Sequence, residues 1–210
     1  MKILLTGGSG LLGKELQKHI VCEAPSHEEL DITKIIDWPN KYDLIIHAAA
    51  YTDVAGAERE PSDCLDANVF GTLNLLKAFR DTPFVLISSE YAKDPINFYS
   101  KTKALAEELV ERYGAGYEGI STLIIRTLFK PTPFPFPEAF ADQYTQGDYV
   151  DVIAPLIAKK IKAWDRVHSN LTYVGTGRKT MYDLAKRTRP DIKKNYVADI
   201  KNVKIPKDYA

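Results

Sequence analysis

Tyr99-Ser100-Lys101-Thr102-Lys103 places a phenol and an ammonium four residues apart. On a helix that spacing sets both on one face, about a turn apart. A free tyrosine has a pKa of about 10, and each unit toward neutrality needs roughly 1.4 kcal/mol. A neighbouring cation stabilises phenolate, so the pair reads as a general acid/base with Lys103 holding the Tyr99 pKa down. Taken alone, Y-x-x-x-K is common and usually means a surface pair. Here it follows a glycine-rich turn by about 90 residues, with Ser88-Ser89 ending an apolar run just before it. The combination is far more specific than any part.

That glycine-rich turn is Thr6-Gly7-Gly8-Ser9-Gly10-Leu11-Leu12-Gly13. It fits two registers, Gly8-x-Gly10-x-x-Gly13 and Gly7-x-x-Gly10-x-x-Gly13. A strand that stops on glycines lets backbone approach a pyrophosphate, with the free N–H groups of the following helix start nearby. The alternative is a tight strand-to-helix turn that binds nothing. Its place at the very start of a strand–helix–strand pattern favours phosphate, and with it a dinucleotide cofactor, NADP or NAD. The acid expected roughly 20 residues on, for a ribose 2′-hydroxyl, is missing from Ala24-Pro25-Ser26-His27. Ser26 and His27 either tolerate a 2′-phosphate, a weak lean toward NADP, or are solvated loop residues.

The elements that must position these groups follow from hydropathy. Short apolar runs at Lys2–Thr6, Val21–Pro25, Asp43–His47, Phe84–Ser88 and Ser121–Arg126 read as strands buried on both faces. Gly10–Ile20, Pro61–Arg80 and Phe98–Tyr113 have helical periodicity, with Leu105, Leu109 and Val110 as the core face of the last. Alternation of this kind is the pattern of a parallel sheet covered by helices. Lys130–Pro137, with proline at alternate positions, cannot be helix and reads as a crossover or lid into a second lobe. Beyond it Val150–Trp164 reads as helix, Leu171–Val174 as strand and Thr180–Lys186 as a short helix. The tail from Asp191 is polar, with lone apolar anchors such as Ile205.

Composition narrows the function classes. The 210 residues carry 28 Lys+Arg against 28 Asp+Glu, so no electrostatic footprint for nucleic acid or an anionic membrane exists. Hydrophobic residues are 45% and charged residues 27%, as in a soluble globular domain. Cys22 and Cys64 form no C-x-x-C pair, and His19, His27, His47 and His168 are scattered, so no metal site is expected. No apolar run approaches the roughly 18 residues of a membrane span. The apolar start at residues 1–5 leads into Thr6-Gly7-Gly8, not a cleavage site, which points to a cytoplasmic protein.

The chain resembles the extended short-chain dehydrogenase/reductase family, and within it the dTDP-4-dehydrorhamnose reductase group. The similar stretches are the glycine turn, Leu30-Asp31-Ile32-Thr33, His47-Ala48-Ala49-Ala50-Tyr51-Thr52, Asn68-Val69-Phe70-Gly71-Thr72, Ile87-Ser88-Ser89-Glu90-Tyr91, Tyr99–Lys103 and Arg126-Thr127. They cover residues 1–130 almost continuously. The resemblance implies that Ser89 hydrogen-bonds a substrate oxygen, Tyr99 passes it a proton, and Lys103 binds the nicotinamide ribose. It implies that Gly7, Gly10, Leu12 and Gly13 cradle the pyrophosphate and that Asp31 and Ile32 lie against adenine. Ala48, Ala49 and Tyr51 would line the cofactor, and Arg126 would lie close to the nicotinamide. Asn68 fits the family's helix asparagine, or is a helix-face amide with no cofactor role. His47 reads as a satisfied strand-end histidine, and whether Glu90 touches substrate is open.

The expectation is therefore a Rossmann-type, doubly wound parallel α/β domain over 1–130, with a reduced substrate lobe over 131–210. The implied activity is NAD(P)H-dependent reduction of a keto group on a nucleotide-linked deoxysugar. Two departures from the pattern stand out. Ser89 and Tyr99 are separated by only nine residues, without the acid-bearing loop usual in the group, and only 84 residues follow Arg126. The pocket is then open, suits a smaller ligand, or is completed by a second subunit in a homodimer. Phe134, Phe136, Tyr144 and Tyr149 either stack on a nucleotide base or form the lobe's small core. The rival readings are an epimerase or dehydratase on the same scaffold and a cofactor-binding regulatory subunit.

Overall fold

A computed structural model describes residues 1–116, 120–201 and 203–208. Asn202, Tyr209 and Ala210, part of the expected polar tail, lie outside the described residues. Strand β1 (Ile3–Thr6) runs through the glycine turn into α1 (Leu11–Leu16), and β2 (Leu44–His47) follows a long irregular stretch. Next come α2 (Gly56–Arg59), α3 (Pro61–Leu65) and α4 (Gly71–Ala78), the last two joined by a π-helical turn over Asp66–Phe70. Strand β3 (Phe84–Ser89) leads through a 3-10 turn into α5 (Phe98–Gly116), and β4 (Thr122–Thr127) returns to the sheet. The remainder holds short strands β5 (Phe129–Lys130), β6 (Glu138–Phe140), β7 (Tyr144–Thr145) and β8 (Asp148–Tyr149), then α6 (Val150–Ala163) and β9 (Asn170–Tyr173). It closes with β10 (Lys179–Thr180), α7 (Met181–Lys186) and β11 (Lys193–Asn195).

The central sheet is parallel throughout, in the order β1-β2-β3-β4-β9. Its first three strands are buried at every position, because helices cover both faces. Leu12 and Leu16 of α1 and Ile153, Ile157 and Ile161 of α6 pack on one face. Leu75 and Leu76 of α4 and Ala106 and Val110 of α5 pack on the other. The expected strand at Val21–Pro25 shrinks to a single parallel bridge, Glu23 to Leu4. Val21 is 95% exposed and Pro25 has no N–H, so nothing extends the ladder. Since β2 occupies the other side of β1, Glu23 sits at the free edge, and the chain reverses winding direction at β1.

The buried stripe of α5 runs Tyr99, Thr102, Lys103, Ala106, Glu107, Val110, a run at helical spacing. Leu105, expected in the core, is 46% exposed because it falls off that stripe. The expected single helix over Pro61–Arg80 is divided by the π turn, which turns Asn68 inward to 2% exposure.

Beyond β4 the chain contributes to both halves of the molecule. Strand β9 pairs with β4, and α6 covers the sheet beside α1. Leu128, Phe134, Ala139, Tyr149, Met181, Leu184 and Ile192 form a separate small core. A cut at residue 130 would therefore part the sheet from its own edge strand and covering helix. Polar ties join the small core to the sheet: Thr145 Oγ donates to Glu90 at 2.5 Å, and the Gln146 N–H donates to the same carboxylate at 3.2 Å. Inside the lobe, Arg187 donates to both oxygens of buried Asp148, at 2.7 and 2.8 Å.

Candidate active site

A cavity of about 530 Å³ opens over the C-terminal ends of the parallel strands. Its wall takes Gly7 and residues 9–13 after β1, Ala48–Ala50 after β2, Ser88 and Ser89 at the end of β3, and Thr127–Pro131 after β4. Tyr99 and Lys103 of α5 complete it. Clefts of this kind, where the winding of an open parallel sheet reverses, are where such folds bind ligands.

Three of the turn's glycines have different reasons to be there. Gly7 has φ +72, and a Cβ on it would come within 2.6 Å of the Ala49 amide nitrogen. A Cβ on Gly13 would come within 2.1 Å of the Gly7 carbonyl oxygen, so α1 packs on the turn only without a side chain there. A Cβ on Gly10 would meet only the Gly7 oxygen, at 3.2 Å. Gly10 thus keeps space open on the cavity side, where no side chain caps α1.

Ser89, Tyr99 and Lys103 all face this cavity. The phenol of Tyr99 is hydrogen-bonded to Ser89, and the Ser89 hydroxyl oxygen accepts the Tyr91 N–H at 3.2 Å. The Tyr91 ring meets that of Tyr99 edge-on, centroids 6.1 Å apart. Lys103 directs its ammonium at the Ile87 carbonyl, 3.0 Å away. Burial pushes Tyr99 up to about 12, with the Ser89 hydrogen bond working against it. Burial also takes Lys103 down to about 8, a shift that Glu107 opposes. The expectation that Lys103 depresses the tyrosine is thus corrected. Removing the phenolate from water outweighs any help from an ammonium that is itself desolvated and bonded to a carbonyl. Tyr99 is held as a protonated phenol, a proton donor.

Several residues carried over by resemblance stand elsewhere. Arg126 does not line the cavity: its guanidinium is bonded to Glu107 at 2.6, 2.9 and 3.2 Å and to the Tyr173 hydroxyl at 2.8 Å. Ser88 donates to the same Glu107 carboxylate. Asp31 and Ile32 are also outside the cavity wall. Hydrogen bonds from Thr33 and Lys34 hold the Asp31 carboxyl at about 2, and Ile32 packs beneath Gly71. Tyr51 is outside the wall as well. Its N–H donates to Asn68 Oδ1 at 2.8 Å, and Asn68 Nδ2 donates to Thr102 at 3.0 Å. Asn68 therefore ties the chain after β2 to the turn of α5 between Tyr99 and Lys103. Glu107 is the residue that sequence reasoning passed over, although it lies four after Lys103 on the same stripe. His47 is buried and neutral, burial and then Lys103 pushing it to about 3, between Thr6 at 2.8 Å and Thr72 at 3.1 Å. Phe134 and Tyr149 belong to the small core, Phe136 lines the cavity, and Tyr144 lies under Arg178 at 3.7 Å.

A doubly wound parallel sheet, a glycine turn after its first strand and a Ser/Tyr/Lys set at the strand ends define the extended short-chain dehydrogenase/reductase class. Within it, residues 1–155 match the family model described as the RmlD substrate binding domain, and the chain belongs to that family. It is 30% identical over 155 residues to a GDP-6-deoxy-D-mannose reductase of Pseudomonas aeruginosa, covering 60% of this chain and 51% of the relative. The chain thus spans about half the length of the curated relatives it matches. Among solved structures, a dTDP-4-dehydrorhamnose reductase of Clostridium acetobutylicum superposes with TM-score 0.84 at 23% identity, over 100% of this chain and 89% of that one. A dTDP-4-dehydrorhamnose reductase of Bacillus anthracis, solved in complex with NADP, gives TM-score 0.77 at 24% identity, over 100% and 88%.

Proposed function

We propose that the protein is an NAD(P)H-dependent reductase of a keto group on a nucleotide-linked deoxysugar. The observation that carries this reading is the meeting of Ser89, Tyr99 and Lys103 with the glycine turn in one cavity. The family relatives named as nucleotide-sugar reductases support it, as does the NADP in the Bacillus anthracis structure.

The cavity suits an anionic dinucleotide. Gly10 leaves open space where a pyrophosphate would rest, and no Asp or Glu lies on the wall among the described residues. Pro25 and His27 line the end nearest the glycine turn, so no carboxylate opposes a 2′-phosphate there. The nicotinamide cofactor, when bound, supplies the hydride. Tyr99, protonated, donates to the carbonyl oxygen as it gains charge, and the Ser89 hydroxyl holds that oxygen. Lys103 offers its ammonium to the nicotinamide ribose. A pure binding module has no chemical need of all three side chains, which favours an enzyme over a regulatory subunit. The same reading takes the protein as cytoplasmic, on its composition, with a reduced lobe that leaves the pocket open, suits a smaller ligand, or is completed by the second subunit of a homodimer. No helix among the described residues is long and apolar enough to cross a membrane.

The test is reductive turnover, followed as NADPH consumption, against a panel of dTDP-, GDP- and UDP-linked keto-deoxysugars. Oxidation of NADPH by at least one, abolished in Ser89→Ala/Tyr99→Phe, is expected. Tight cofactor binding with no turnover on the whole panel would hand the case to the regulatory subunit.

A further inference from the structure

The wall of the cavity opposite the glycine turn carries a second cation, Lys130. It stands on β5, which is fixed by parallel pairing with β8. The proline segment that follows is pinned as well: Thr132 donates to Asp151 at 2.8 Å, and the Phe134 N–H donates to Thr188 at 3.1 Å. The Lys130 ammonium lies over the Phe136 ring, 5.4 Å from its centroid. Phe136 is braced edge-on by buried Phe134, centroids 5.7 Å apart. No carboxylate pairs with Lys130 among the described residues, and the cavity wall holds none. The other wall lysine, Lys103, already has the Ile87 carbonyl. Lys130 is thus a cation fixed in a cleft, with an aromatic face on one side and no acceptor among the described residues. Burial also lowers its pKa, as expected of an ammonium short of partners.

Its place just beyond the end of β4 says which anion it serves. Lys130 follows β4, and the glycine turn follows β1, three strand spacings away. At the usual spacing that is roughly 14 Å, too far for one pyrophosphate to reach both. Ser89 and Tyr99 lie between the two. We propose that Lys130 is a specificity-determining anchor for the diphosphate of the second ligand, the nucleotide-linked substrate, with the Phe136 ring beside it. This rests on the reductase reading for the identity of that ligand, whereas the anchoring itself does not require turnover.

The shared chemistry is a diphosphate, and cofactor and substrate both contain one, so the experiment separates them. Titration calorimetry measures NADPH binding to the free protein, then dTDP, GDP and thymidine binding to the NADPH-saturated protein. Wild type should bind a nucleoside diphosphate well above thymidine. Lys130→Met should weaken that by about tenfold or more, Lys130→Arg should restore most of it, and NADPH affinity should stay within about twofold in both. Weakening of NADPH instead would assign the ammonium to the cofactor and overturn the proposal. Unchanged nucleoside-diphosphate affinity, or none in wild type, would overturn it too. Failure of the two readings is distinguishable. Diphosphate binding through Lys130 without reduction of any ketone sinks the reductase alone. Reduction with a KM indifferent to Lys130→Met sinks the anchor alone.

Discussion

The Lys103 ammonium donates to the Ile87 carbonyl at 3.0 Å, inside a helix–sheet contact where the residue is only 4% exposed. A cation so placed makes folding depend on pH. Burial lowers its pKa from 10.5 to about 8 in the folded protein. Below pH 8 both states hold the proton and the fold bears the cost of the buried charge. Between about 8 and 10.5 the folded state has released its proton while the unfolded state keeps it, so rising pH favours the fold. Urea unfolding of wild type and Lys103→Met at pH 7.5 and pH 10 should show wild type gaining up to about 3 kcal/mol relative to the variant. A difference independent of pH would contradict the burial argument.

Tyr99→Phe keeps the ring and its packing but removes the transferable proton. Reductive turnover should fall by roughly 10² or more, with NADPH affinity nearly constant. In the free protein the phenol is held at about 12, above its ordinary value of 10. The ultraviolet titration of wild type minus Tyr99→Phe should therefore show no phenolate absorbance near pH 10. Phenolate appearing at neutral pH in that difference would restore the depressed pKa.

Two glycines of the turn should fail differently. Gly10→Val projects a side chain where only the Gly7 oxygen lies within 4 Å, so the protein should fold with nearly wild-type Tm and lose NADPH binding. Gly13→Ala forces a Cβ to within 2.1 Å of backbone and should lower Tm sharply. Equal loss of stability in both would remove the distinction.

Coenzyme choice follows from what stands beside Pro25. His27 lines the cavity, and the Glu29 carboxylate is drawn away to accept the Ser26 N–H at 2.7 Å. NADPH should bind at least as tightly as NADH, and His27→Ala should weaken NADPH more. A clear NADH preference in wild type, with no response to His27→Ala, would refute this.

Arg126→Met should act on stability and not on the cofactor. It strands the Glu107 carboxylate, whose side chain is 5% exposed, without its guanidinium. Breaking one side of such a pair costs about 3–5 kcal/mol. Thermal unfolding should show a large drop while NADPH affinity per folded molecule is unchanged.

Much of this was legible in the residues. The strand–glycine–helix order gave β1, the turn and α1, and the Ser89/Tyr99/Lys103 spacing pointed to three side chains that do share one cavity. What motif reading cannot supply is the direction in which a side chain leaves its strand. Arg126 ends β4 close to the site, yet its guanidinium turns to α5, because Glu107 offers it a buried carboxylate. The same holds for Asp31, which closes its own turn through Thr33. The sign of the Tyr99 shift lies beyond motif reading for a different reason: spacing shows that a cation is near, but desolvation depends on how completely the neighbours exclude water. Val21 and Cys22 are apolar and so suggest a strand, yet only Glu23 pairs, at the edge of the sheet.

Strand β9 reaches β4 after the chain has wandered through some forty residues of lobe and helix. During synthesis β4 is therefore made with one hydrogen-bonding edge bare, and it stays bare until residues 170–173 emerge. The apolar inner face of α6 arrives only slightly earlier. A nascent chain halted between the two resembles an open-edged sheet, the form most prone to pair with a neighbour's strand. The stretch between the two strands is thus a gap in time as well as in space, and the pace of synthesis across residues 128–169 decides how long that edge is left unguarded.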